Sequence, residues 1–257
     1  MRVVLVAGWN EASRYMRTFI DGTRHIDGLA GYGFDCTLFP DGRDDLTSRT
    51  HRFAAWLTAL KMRDPGAFPL CVLGYSAGGL LPRAFLRAYP ERHNEIAAVV
   101  QVGAPNGGLV TNWIAHLIHL VLLPDAVVRD MDVASDFTTW LNGTSGTWLP
   151  DVRHPGRQRW VLDEKPWVAP VDTRILQIAG RMPRFNMESD GVVEVESATL
   201  EDNVPTVFLD GPRANHLNLG AVFNPLAFAA RGFTRDDVIW PQVVDIAARF
   251  FRSEFKP

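Results

Sequence analysis

A serine set between two glycines is the feature of this chain whose residue types and spacing best fit chemistry. Residues 74–78 read Gly-Tyr-Ser-Ala-Gly, with Ser76 at the centre. They follow an apolar run at 70–73 and precede a helix-like run from 79, the strand–turn–helix order of a nucleophile elbow. Such a tight turn leaves no room for side chains at its two glycine positions. The pattern predicts a reactive serine hydroxyl; the competing interpretation is a Gly/Ser-rich turn without chemistry.

A serine hydroxyl is a weak nucleophile at neutral pH, so it needs a histidine as base and an acid that orients the histidine. Behind a serine in such a turn, the acid and then the histidine follow along the chain. His216 lies in a loop just after the last predicted strand, 206–209. The other histidines precede Ser76, follow it too closely, or lie in the long segment after residue 103. We therefore predict His216 as the base.

The acid is expected in a loop that follows a strand between the serine and the histidine. Asp190 comes after the strand predicted at 175–179, within the sequence Ser-Asp-Gly-Val-Val, and is our choice. Glu188 and Asp210 are alternatives, since each could also orient a histidine. An Asp-Gly pair is also common in turns, so Asp190 has a purely structural interpretation as well.

Backbone N–H groups must also stabilise the negative charge that forms on the substrate oxygen in acyl transfer. Ala77 directly follows the serine, and its N–H is predicted to be one donor. The second donor should come from the loop after the first strand, where Gly8 permits close backbone approach. We favour the N–H of Trp9, with that of Asn10 as the alternative.

Strand-like and helix-like runs alternate along the chain, which is typical of a parallel sheet covered by helices on both faces. The predicted strands are 3–7, 34–39, 70–73, 96–102, 175–179 and 206–209. The predicted helices are 12–30, 46–62, 79–89 and 235–255. The sequence therefore predicts one α/β domain over residues 1–257, with a mostly parallel, doubly wound sheet of about six strands.

A tryptophan-rich segment at 106–171 separates two predicted strands that far fewer residues could join. The segment comes directly after the predicted strand 96–102, which is the first strand after Ser76. It should therefore lie over the carboxyl edge of the sheet, where ligands bind in open α/β folds. We predict that it is a helical lid or cap; an ordinary extra helical layer is the alternative. The side chains of Tyr75, Asn10 and Trp113 are predicted to contact the substrate.

The composition argues against several kinds of partner. The formal charge is −3 without a basic cluster, so nucleic-acid binding is not expected. The two cysteines, Cys36 and Cys71, lie in apolar runs and are interpreted as buried free thiols. His116 and His119 are three residues apart on a helix-like segment and are interpreted as lid or pocket side chains. We therefore expect neither a metal nor a cofactor.

The chain shows no segment suited to a membrane span. Its longest apolar stretch, about 113–128, is interrupted by histidines, a proline and an aspartate. Residues 1–7 are interpreted as the first strand rather than a signal peptide, which favours a cytoplasmic location. The oligomeric state is left open.

Taken together, these motifs resemble the lipase-like branch of the α/β-hydrolase superfamily. Ala7 and Tyr75 stand where histidines are usual in that family. The matching segments follow the family's order and are residues 4–9, 74–79, 99–108, 190–198 and 215–217.

The resemblance implies a serine hydrolase that cleaves a carboxylic ester through an acyl-enzyme, with Ser76, His216 and Asp190 as the triad. The implied substrate is a small-molecule ester or a lipid-like acyl compound. Two other functions stay open: an acyltransferase, in which an alcohol or amine replaces water, and a non-catalytic binding module on the same fold.

Overall fold

The computed structural model describes residues 1–8, 22–40, 44–109, 126–143, 146–150, 158–162, 173–184, 187–200, 204–220 and 238–254. All contacts and distances given for the protein involve these residues.

A seven-stranded sheet forms the centre of the described part of the protein, and a separate two-stranded hairpin accompanies it. The sheet strands run in the spatial order β2-β1-β3-β4-β7-β9, all parallel, and β8 pairs antiparallel with the last residues of β7. The hairpin consists of β5 and β6. In chain order the strands are β1 (Arg2–Val6), β2 (Asp35–Leu38), β3 (Leu70–Tyr75), β4 (Ile96–Val102), β5 (Gly146–Pro150), β6 (Gln158–Leu162), β7 (Arg174–Arg184), β8 (Met187–Ser189) and β9 (Thr206–Asp210).

Helices cover the sheet on both faces. The α-helices are α1 (Gly22–Gly31), α2 (Leu46–Arg63), α3 (Leu80–Ala88), α4 (Ala126–Asp130), α5 (Asp136–Asn142), α6 (Val195–Ala198), α7 (His216–Leu219) and α8 (Ile239–Phe251). Short 3-10 helices are formed by Pro65–Ala67, Ser76–Gly79 and Pro90–Glu95. The prediction of a mostly parallel, doubly wound α/β sheet is confirmed.

The alternation of side chains along each strand produces two cores. In β3, Val72 faces the core that contains α2 and α3, whereas Leu73 faces the core that contains α1 and α8. Since the central strands are buried on both faces, their sequences are mostly apolar, and Gln101 of β4 is a polar exception. That pattern made β3 and β4 recognisable from the sequence.

Several boundaries differ from the predicted ones. The predicted strand 175–179 is the middle of β7, which is eleven residues long because its end leaves the parallel sheet and pairs with β8. Residues 12–21 of the first predicted helix lie outside the described residues. Within the predicted insertion 106–171, the described ranges contain α4, α5 and the hairpin of β5 and β6, which was not predicted.

A histidine is buried beside the aromatic core between α1 and α8. His25 is only 4% exposed, and the centre of its ring lies 6.2 Å from the centre of the Trp240 ring. Burial lowers the pKa of His25 to about 4, and a hydrogen bond to the backbone of Leu219 opposes that effect. The ring is therefore neutral in the folded protein at ordinary pH.

This buried histidine predicts a loss of stability in mild acid. Above pH 6.5 the ring is neutral in both the folded and the unfolded chain, so it makes no contribution. Between pH 6.5 and about 4 the unfolded chain gains a proton that the folded chain does not, which should cost on the order of 3 kcal/mol. Urea unfolding of the wild type and His25→Gln across this range should give different pH dependences; identical ones would contradict the assignment.

Candidate active site

Strand β3 brings Ser76 to the carboxyl edge of the sheet. The residues directly after β3, Ser76–Gly79, form a 3-10 turn that leads into α3. Ser76 has a φ of 52°, a left-handed conformation that costs a non-glycine residue about 1–3 kcal/mol. A strained strand-to-helix turn of this kind presents its serine hydroxyl above the sheet.

Main-chain atoms surround this turn so closely that side chains are excluded. A Cβ atom at Gly74 would lie 2.6 Å from the Cα atom of Gly79, and one at Gly78 would overlap the carbonyl oxygen of Ala7. A Cβ atom at Gly8 would lie 2.9 Å from the Cβ atom of Ser76. The chain leaving β1 therefore passes directly against the serine turn, where the sequence predicts an oxyanion donor.

His216 and Asp190 form a buried hydrogen-bonded chain with the serine. The Nε2 atom of His216 lies 3.0 Å from the Oγ atom of Ser76, and its Nδ1 atom lies 2.7 Å from the Oδ2 atom of Asp190. The side chains of His216 and Asp190 are only 6% and 2% exposed. His216 begins α7, and the side chain of Asn215 caps that helix by accepting a 3.0 Å hydrogen bond from the N–H of Asn218.

The partners of the imidazole determine where its proton lies. An ionised carboxylate can only accept, so the Nδ1 atom of His216 donates to Asp190. In the neutral ring the Nε2 atom is then unprotonated, and it accepts the hydrogen bond of the Ser76 hydroxyl. The arrangement can therefore remove a proton from Ser76.

Asp190 is held by its own loop as well as by the histidine. Its Oδ1 atom accepts hydrogen bonds from the N–H groups of Val192, at 2.9 Å, and Val193, at 2.7 Å. Its carbonyl oxygen accepts one from the N–H of His216, at 2.9 Å. These contacts leave the Oδ2 atom directed at the imidazole, so the turn sequence and the acid function use the same residue.

The two alternative acids are placed elsewhere. The Oδ1 atom of Asp210 lies 2.6 Å from the Nε atom of Arg181, and this hydrogen bond lowers the pKa of Asp210. Glu188 is exposed on β8. Asp190 is thus the carboxylate that accepts from His216.

The remaining predicted site residues divide into two groups. Ala77 is buried directly after Ser76, and Tyr75 donates a 2.9 Å hydrogen bond from its hydroxyl to the carbonyl oxygen of His216. The other predicted site residues lie outside the described residues; they are Trp9, Asn10 and Trp113.

A glycine that was not among the predicted site residues lies against the acid–base pair. Gly103 follows β4 with a φ of 55°, and a Cβ atom there would lie 3.1 Å from both the Oδ2 atom of Asp190 and the Nδ1 atom of His216. The sequence signal that could have indicated Gly103 was its position at the end of β4, the strand that pairs with β3. Gly103 therefore leaves the space in which these side chains meet.

A buried network of amide side chains, also unpredicted, supports the serine turn. Gln101 donates from Nε2 to the carbonyl oxygen of Gly79, at 2.7 Å, and to the Oδ1 atom of Asn106, at 3.0 Å. The guanidinium of Arg83 donates to Asn106, at 2.9 Å, and to Asn142, at 3.2 Å. Burial lowers the pKa of Arg83 to about 9. The network ties the serine turn to the start of the predicted insertion and to α5.

Two further features concern partners. Among the residues that the structure describes, no three histidine, cysteine, aspartate or glutamate side chains form a group that could hold a metal ion. His116 and His119 lie outside those ranges. None of the helices in the described ranges is both long enough and apolar enough to cross a membrane.

The arrangement of strands is shared with solved structures of known activity. The mature form of a Bacillus licheniformis lipase matches with a TM-score of 0.58 and 18% identity, over 85% of this chain and 86% of that one. A Legionella pneumophila phospholipase matches with a TM-score of 0.62 and 16% identity, over 99% of this chain. The fold is that of the α/β hydrolases. A metagenomic carboxyl esterase matches with a TM-score of 0.61 and 16% identity, over 99% of this chain and 76% of that one.

The sequence resemblance to the lipase-like α/β hydrolases is therefore confirmed at the level of the fold. No protein-family model matches this chain, and no curated protein matches its sequence. The chain spans 61% of the length of the Legionella phospholipase.

Adding a methyl group at Gly103 should impair the site without unfolding the protein. Both Gly103→Ala and Gly33→Ala place a side chain at a positive φ, which should cost about 1–2 kcal/mol in each case. Only the first new methyl contacts Asp190 and His216, because a Cβ atom at Gly33 meets nothing within 4 Å. With an ester substrate, Gly103→Ala should lower kcat by about tenfold or more and Gly33→Ala should not. Equal activities would contradict the packing described here.

Proposed function

We propose that this α/β-hydrolase-fold protein is a serine hydrolase that cleaves carboxylic esters through an acyl-enzyme intermediate. The observation that carries the proposal is the chain of hydrogen bonds from Ser76 through His216 to Asp190, at 3.0 Å and 2.7 Å. The strained serine turn and the burial of the acid–base pair support it. Lipase and carboxyl esterase structures with the same fold are consistent with it.

The first half of the reaction acylates the serine. His216 takes the hydroxyl proton on Nε2 while the Oγ atom of Ser76 bonds to the ester carbonyl carbon and the carbonyl electrons move to oxygen. Asp190 stabilises the resulting imidazolium. When the carbon–oxygen bond to the alcohol breaks, His216 returns the proton to the leaving oxygen, and the alcohol departs.

The second half uses water in place of the alcohol. His216 takes a proton from water as the water oxygen bonds to the acyl carbon. The bond to the Oγ atom of Ser76 then breaks, the serine recovers its proton from His216, and the carboxylic acid is released. An alcohol acceptor in place of water would give acyl transfer by the same steps.

Two backbone donors are proposed for the oxyanion. The N–H of Ala77 follows the nucleophile, and the N–H of Trp9, or alternatively Asn10, follows the point where Gly8 meets Ser76. Arg49, which is 1% exposed, supports this region by donating from Nη2 to the carbonyl oxygen of Ala7, at 3.3 Å.

The proposed substrate is a small-molecule or lipid-like ester. This agrees with the names of the similar solved structures, which are a lipase, a phospholipase and a carboxyl esterase. We propose residues 106–171 as the lid or cap that covers it. Substrate contacts by Asn10 and Trp113, the extent of one domain over 1–257, and the cytoplasmic location remain predictions from the sequence.

Hydrolysis of p-nitrophenyl esters from acetyl to palmitoyl tests the proposal. Ser76→Ala should lower kcat by about 10⁴-fold or more, because the nucleophile is lost, and Asp190→Asn by about 10⁴-fold, because the histidine tautomer changes. The chain-length optimum would measure the size of the acyl pocket.

Ser253→Ala is the matched control. Ser253 is the other described non-glycine residue with a positive φ, at 61°, and it lies after α8. Its replacement should leave the rate unchanged. Ester hydrolysis that survives in Ser76→Ala would contradict the proposed mechanism, and activity that appears only when an alcohol acceptor is added would favour acyl transfer.

A further inference from the structure

A tyrosine directly before the proposed nucleophile lies against the proposed base. The ring of Tyr75 is centred 5.1 Å from the imidazole of His216, with 35° between their planes. Its hydroxyl donates a 2.9 Å hydrogen bond to the carbonyl oxygen of His216. Tyr75 is also the chain neighbour of Ser76. It therefore connects Ser76 with His216, which lie 140 positions apart in the chain.

Gly220, which directly follows α7, leaves the space for this ring. A Cβ atom at Gly220 would overlap the ring of Tyr75. The φ of Gly220 is −84°, which any residue can adopt, so the missing side chain serves the ring rather than the backbone conformation. The N–H of Gly220 also donates to the carbonyl oxygen of His216, at 3.2 Å. Tyr75 and Gly220 thus hold the same carbonyl group.

We infer that Tyr75 is a positioning residue that fixes the imidazole of His216 over Ser76, rather than the substrate-binding residue that the sequence predicts. The inference rests on the proposed function. Asp190 holds the Nδ1 side of the imidazole, and Asn215 caps the helix that His216 begins. Tyr75 adds a constraint from the serine side. The Oγ atom of Ser76 and the Nε2 atom of His216 are thereby kept within hydrogen-bonding distance of each other.

The ring and the hydroxyl of Tyr75 have separable roles. The hydroxyl fixes the main chain of His216, whereas the ring lies close enough to stabilise the imidazolium that forms when His216 takes the serine proton. Both effects act on the chemical step. A substrate-binding role would act mainly on KM instead.

Steady-state kinetics of Tyr75→Phe and Tyr75→Leu with a p-nitrophenyl ester test this assignment. Loss of one hydrogen bond should lower kcat about fivefold in Tyr75→Phe. Loss of the ring as well should lower kcat about 100-fold in Tyr75→Leu, because the base is no longer held in place. KM should stay within about twofold of the wild type in both variants.

Tyr89→Phe is the matched control, because the hydroxyl of Tyr89 lies 2.7 Å from the Nδ1 atom of His51 at an exposed position. This tyrosine–histidine contact is remote from the site, so kcat and KM should not change. A raised KM with an unchanged kcat in the Tyr75 variants would overturn the inference in favour of substrate binding. Unchanged kinetics in both Tyr75 variants would also overturn it, while leaving the proposed function intact.

A substrate-independent readout separates the inference from the proposed function. The proton on the Nδ1 atom of His216, which is donated to Asp190, should give a downfield resonance in the proton NMR spectrum of the wild type. We expect this resonance to broaden in Tyr75→Leu and in Gly220→Ala, which displaces the ring without removing it, as exchange with water becomes faster. The same sharp resonance in all three proteins would contradict a positioning role, whether or not an ester substrate is found.

Discussion

The geometry of the site depends on the close approach of main-chain segments around Ser76. Where the turn after β3 meets the end of β1, Gly74, Gly78 and Gly8 leave no room for a Cβ atom. Because the backbone is this tight, Ser76 is forced to a φ of 52° and its hydroxyl is presented at the sheet edge. The parallel sheet supplies the rigid support that such strain requires.

The polar groups around the turn are satisfied mainly by neutral partners. Gln101 and Asn106 connect the turn to neighbouring segments through amide hydrogen bonds, and the buried guanidinium of Arg83 donates to amide oxygens. A buried network of polar hydrogen bonds favours one arrangement of the surrounding chain. In this protein the network joins the serine turn to α5, while the acidic side chain next to the imidazole is Asp190.

The sequence predicts much of this arrangement because the decisive signals are local. Mostly apolar runs mark β3 and β4, and the spacing of glycines around Ser76 marks the turn. The structure places the side chains of Ser76, His216 and Asp190 within hydrogen-bonding distance of one another in series. The contacts of Gly103 and of Tyr75 with His216 join segments that are distant along the chain, so local patterns did not reveal them. The extension of β7 arises from its pairing with the nearby β8, which the apolar run at 175–179 does not indicate.

Reaction with a fluorophosphonate, followed by mass spectrometry of the peptides, shows whether Ser76 is an activated nucleophile. The reagent needs an activated serine and no knowledge of the natural ester. We expect a stoichiometric adduct on Ser76 in the wild type and its loss in His216→Gln, with the fold of the variant checked by circular dichroism. An adduct on another residue, or equal labelling in His216→Gln, would contradict the proposal that His216 activates Ser76.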